Sequence, residues 1–94
     1  NEFLFYSRPK GKYMGEDTNK LLLDFYLINT EISSEGNKVK ATIQDNEFII
    51  DEWVPYYIEG LPKGEITIKL ELIDSNGILI DTPFNPSTRT VTLE

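Results

Sequence analysis

Between Gly64 and Ile73 the chain reads GEITIKLELI, with Ile66, Ile68, Leu70 and Leu72 at every second position and Thr67, Lys69 and Glu71 between them. A period of two is the side-chain period of a β-strand, and it divides this segment into an apolar face and a wet one. An amphipathic helix would instead place its apolar residues three and four apart, and that spacing is persuasive nowhere in the sequence. A strand with one oily face needs a second layer to cover it. The chain is therefore expected to be all-β, built from packed sheets.

The same pattern recurs upstream. EFLFYS (Glu2 to Ser7) opens the chain, and KLLLDFYLI (Lys20 to Ile28) is apolar on both faces, with Leu21, Leu23, Phe25 and Leu27 aligned, as suits a central strand. In KVKATIQ (Lys38 to Gln44), Val39, Ala41 and Ile43 face one way and Lys38, Lys40, Thr42 and Gln44 the other. Asp45-Asn46 follows as a hairpin turn, since both residues tolerate positive φ. EFIIDEW comes next, then VPYYIE, whose Pro55 points to an edge strand or a strand start. After the turn at LPKG and the strand at 64–73, Asp74-Ser75-Asn76-Gly77 reverses the chain, ILI starts the return, DTPFNPS interrupts it and TRTVTL (Thr88 to Leu93) closes the sheet. That makes about seven or eight short antiparallel strands, the number an immunoglobulin-like β-sandwich of about 100 residues uses. Ninety-four residues are read as one domain, 1–94, of a size that buries roughly 60–70% of its unfolded surface. Asn rather than Met at position 1 suggests a processed or trimmed chain.

Composition removes several chemistries. The sequence has no Cys and no His, which excludes disulfides, thiolate nucleophiles and the usual zinc, copper and haem ligands. A Ser or Thr nucleophile would lack its customary base. Adjacent Asp51 and Glu52, read as strand residues, point to opposite faces, and nothing in the sequence brings Asp24, Glu71 and Asp81 together. A small carboxylate-based hydrolase is thus the weakest reading, and the expectation is a chain that is not an enzyme, with no cofactor and no metal. Asp45-Asn46-Glu47 and Asp74-Ser75-Asn76 offer oxygens to calcium, but the same residue types make turns. Asn85-Pro86-Ser87 is barred from glycosylation by its proline.

Charge is uneven. The net charge is −7, yet residues 1–20 are net basic by one, with Arg8, Lys10, Lys12 and Lys20 against Glu2, Glu16 and Asp17. An acidic body argues against nucleic acid as a partner. No apolar run is long enough to be a transmembrane segment. Three features invite a protein or glycan partner. Trp53, Tyr56 and Tyr57 cluster around Pro55, and such rings stack on sugars or anchor interfaces, although a sandwich with a single tryptophan ordinarily buries it. Arg8, Lys10 and Lys12 form a basic loop that can dock an anionic partner or simply be solvated. Phe3 to Tyr6 is apolar on both faces, so it must be covered by this chain or another, and edge-strand self-association is one outcome.

Leu61-Pro62-x-Gly64, the alternating strand, Asp74-Ser75-Asn76-Gly77 and the final strand together resemble the last third of bacterial immunoglobulin-like domains. The resemblance spans residues 60–94. It lacks the antibody-type pair of core cysteines, and Trp53 follows the third or fourth strand instead of lying in the third. What it implies is an accessory or interaction module of a bacterial extracytoplasmic protein, periplasmic or at the cell surface, including lipoproteins. A carbohydrate-binding module using Trp53 with Tyr56 or Tyr57 is the alternative.

Overall fold

Ile66, Ile68, Leu70 and Leu72 have no exposed surface, so the period-two segment buries the face its sequence marks. The computed structural model describes residues 2–94. Among them the strands are β1 (Phe3–Arg8), β2 (Lys12–Tyr13), β3 (Lys20–Ile28), β4 (Lys38–Ile43), β5 (Asn46–Ile50), β6 (Tyr56–Glu59), β7 (Gly64–Ile73) and β8 (Ser87–Leu93). They form two sheets, one of three strands in the order β1-β3-β6 and one of five in the order β2-β8-β7-β4-β5. The fold is an all-β sandwich.

β7 is hydrogen-bonded on both sides, with Leu70 opposite Ala41 of β4 and Ser87 of β8. Its buried face meets Leu21, Leu23, Phe25 and Leu27 of β3, and Leu4, Val39, Ala41, Ile43, Val91 and Leu93 complete the core. Each fully buried Leu or Ile stabilises the fold by roughly 1.5–3 kcal/mol relative to an exposed one. On the outer face of the five-stranded sheet, Lys40 and Lys69 each reach Glu71 at 3.8 Å. Such surface pairs contribute about 0–1 kcal/mol.

Two turns depart from expectation. The β4–β5 reversal falls on Gln44 (φ 49°) and Asp45 (φ 70°), one residue earlier than Asp45-Asn46, because Ile43 pairs with Asn46. A two-residue hairpin with both central residues left-handed is the type I′ turn that matches strand twist. At the second turn, where Asn76-Gly77 suits the positive φ angles of a hairpin, only Gly77 takes positive φ, and an Asp74 side-chain oxygen accepts from the N–H groups of Asn76 (2.9 Å) and Ile78 (3.0 Å). The segment returning from that turn contributes a single bridge, Ile73 to Leu79, instead of a strand. Asn85 takes over there. Its side chain accepts from the Leu72 N–H at 2.9 Å and donates to the carbonyls of Leu72 (2.9 Å) and Ile80 (2.7 Å). One amide thereby does for the end of β7 what a neighbouring strand does elsewhere.

The basic segment is not a free loop. After β1 the chain leaves the three-stranded sheet and joins the five-stranded one, with β2 parallel to β8 in the register Lys12 to Thr92 and Tyr13 to Leu93. Gly11 turns the corner at φ 81°, Pro9 is fully buried, and the Tyr6 hydroxyl donates to the Pro9 carbonyl. Two residues of strand flanked by Pro and Gly are too few to display a period, which is why the sequence reads as a loop here.

Candidate functional site

Trp53 lies outside the core, correcting the expectation that a single tryptophan would be buried. It is 50% exposed, and its indole N–H donates to the Phe25 carbonyl at 2.8 Å. The reason is the length of β6, which pairs with β3 only from Lys20 to Leu23. Beyond Leu23 that edge of β3 has no strand partner, so Trp53 caps one of its carbonyls while the Asp24 carboxylate accepts the Phe25 N–H at 3.0 Å. The bond should contribute about 1 kcal/mol. Trp53→Phe is accordingly expected to lower the unfolding free energy by that amount in a denaturant titration, and the wild-type tryptophan emission should be open to acrylamide quenching.

The other candidate residues separate into different places. Tyr56 is half-buried on the inner side of β6, its hydroxyl donating to the Glu52 carbonyl at 2.9 Å. Burial pushes its phenol above the ordinary range, and the charges of Glu52 and Asp51 push it further. Tyr57 points outward, opposite Leu22, with the Lys20 ammonium 4.7 Å from its ring centroid. Arg8 ends β1 opposite Asp24, Lys10 is exposed, and Lys12 pairs with Glu94 at 3.1 Å. The basic residues are therefore spread along the sheet-switching segment.

The carboxylates do not converge. Asp51 and Glu52 follow β5 in a connection and are not strand residues as expected. Asp24 lies on the outer face of the three-stranded sheet and Glu71 on the outer face of the other, with the core between them. Among the described residues no three acidic side chains gather into a metal-sized group. No helix among them is long and apolar enough to cross a membrane.

What the fold does assemble is an aromatic surface. On the outer face of the three-stranded sheet Phe3 sits opposite Ile28 and Phe5 opposite Tyr26. The Phe3 and Phe5 rings stack with centroids 5.7 Å apart, and Phe84 reaches over from the β7–β8 connection to lie 5.8 Å from Phe5. Phe84 is 66% exposed and held at φ 66°, a conformation bulky residues seldom adopt. The Ser87 hydroxyl donates to its carbonyl at 2.6 Å, pinning that geometry. Phe3 and Phe5 are legible in the sequence as apolar residues on a second face. Phe84 is not, because its place depends on a long-range loop conformation.

Two sheets ordered in this way define an immunoglobulin-like sandwich. No protein-family model matches the sequence, and no curated protein matches it. Among solved structures it is similar to a chain from the fibronectin(III)-like modules of Clostridium thermocellum CbhA, with a TM-score of 0.68 over 98% of this chain and 97% of that one. Sequence identity is 11%, so the likeness is one of fold. The two-sheet arrangement matches a fibronectin(III)-like sandwich fold.

Proposed function

We propose that this chain is a non-enzymatic accessory module of a bacterial extracytoplasmic protein, which attaches to a protein partner through the outer face of its three-stranded sheet. The observation that carries the reading is the contiguous apolar surface of Phe3, Phe5, Tyr26, Ile28 and Phe84. Exposed apolar patches of this kind are characteristic of interaction sites. The sandwich supplies a rigid support, so few side chains need to be ordered on binding. The second reading, a glycan-binding module, is favoured by the exposure of Trp53 and Tyr57 along the same edge of β3.

Hydroxyl-radical footprinting separates the two. Labelling of Phe5, Tyr26 and Phe84 should fall several-fold when the module is held in its natural polypeptide or complex, compared with the isolated chain. Unchanged labelling of those residues would reject the protein-facing surface. Protection confined to Trp53 and Tyr57 on adding soluble oligosaccharides would select the glycan reading instead.

A further inference from the structure

The two lateral openings of the sandwich are treated differently by the chain. On the side of β1 and β8 the opening is sealed: Pro9 is fully buried, β2 bridges to the second sheet, and the Arg89 guanidinium lies 5.3 Å from the Tyr6 ring centroid. On the side of β5 and β6 nothing among the described residues plays that part. Both are edge strands, of different sheets. Between them lies a slot of about 400 Å³ whose floor is Leu23, Ala41 and Ile43 and whose walls include Phe48 and Ile58.

Phe48 shows that the slot is a gap in the apolar layer. It pairs with buried Ala41 and shares the inward side of β5 with buried Ile50, yet it is 54% exposed. An inward-facing aromatic ring without cover lacks the neighbours that make burial favourable. The edges on either side also leave backbone groups unpaired, because every second residue of an edge strand turns its N–H and C=O away from its one partner.

The rim is acidic at both ends. Asp51 and Glu52 leave the end of β5 and lead into the start of β6, and Glu59, which ends β6, lines the slot at the other end. Glu47 is not part of that rim, since it pairs with Thr42 and meets Lys40 at 3.7 Å on the outer face of the five-stranded sheet, whereas Asp51, Glu52 and Glu59 make no ion pair among the described residues. The negative charge reaches the slot at Tyr56, whose phenol is pushed up by burial first and then by Glu52 and Asp51.

We propose that the slot between β5 and β6 is a docking site for an extended basic peptide, which adds a strand to the open edge of β5, sets alternate apolar side chains over Phe48 and toward Leu23, and places Lys or Arg against Asp51 and Glu52 at one end and Glu59 at the other. Main-chain hydrogen bonds would supply affinity, with alternate side chains and end charges supplying selection. This goes beyond the proposed attachment through Phe5, Tyr26 and Phe84, and it uses a different surface.

The test uses a labelled peptide, Lys-Lys-Val-Thr-Val-Thr-Val-Lys-Lys, and its counterpart with Glu at the four ends. Fluorescence anisotropy should show the basic peptide binding at least tenfold tighter than the acidic one. The difference should collapse at about 1 M salt, where charges beyond about 3 Å are screened. Amide NMR shifts should concentrate at 46–50 and 56–59, and the double variant Glu52→Lys, Glu59→Lys, both exposed positions, should lose at least tenfold in affinity. No saturable binding of the basic peptide, equal binding of both peptides, or shifts centred on the Phe5–Tyr26 face would each overturn the proposal. Footprinting of that outer face reads the other surface independently, so either idea can fail while the other stands.

Discussion

Leu70→Ala is expected to lower the unfolding free energy by about 2–5 kcal/mol, while its neighbour Lys69→Ala should cost under about 1 kcal/mol. Leu70 has no exposed surface and sits in the middle strand of the five, with β4 on one side and β8 on the other. Removing its side chain loses transfer free energy and leaves a cavity among Ile, Val and Phe side chains that cannot all move inward. Lys69 is on the other face, its ammonium 3.8 Å from Glu71 and half in water. A guanidinium chloride titration of both variants measures the difference directly. A larger loss at Lys69 than at Leu70 would mean that β7 is turned over.

The second large effect is expected at Asn85, a polar residue in the connection between β7 and β8. Asn85→Ala should cost about 2–3 kcal/mol. It strips the Leu72 N–H and the Ile80 carbonyl of their side-chain partner, and an unsatisfied buried polar group costs about 1–3 kcal/mol. The Leu72 carbonyl keeps one donor, the Ile80 N–H at 3.0 Å, which holds the loss below a full three-bond count. Asn76→Ala, in the exposed Asp74 turn, is the control and should stay within about 0.5 kcal/mol. Equal midpoints for the two variants in thermal unfolding would show that the Asn85 amide does not hold the end of β7.

Local alternation was enough to read β3, β4, β7 and β8 as strands, and to select the face that β4 and β7 bury, because a half-buried strand writes its environment into every second residue. Pro55 likewise marked the start of β6, an edge strand. The parts that escaped depend on distant segments. β2 is two residues long and exists because β8 offers it an edge. The exposure of Trp53 follows from the shortness of β6, and that of Phe48 from the missing cover opposite β5. Parity says which way a side chain points. It does not say whether anything stands opposite. Of the candidate site, the aromatic residues of β1 were legible as a surface needing cover, whereas Phe84 and the slot between the sheets were not.

The central claim is that two sheets press their apolar faces together, closed along the β1–β8 side and open along the β5–β6 side. Cross-strand nuclear Overhauser effects test it most directly. The account predicts contacts from β7 to both β4 and β8, and from Lys12 and Tyr13 to Thr92 and Leu93 in parallel register, with no ladder joining β5 to β6. Backbone contacts pairing β5 with β6 along their length, or a β7 with a strand on one side alone, would contradict it.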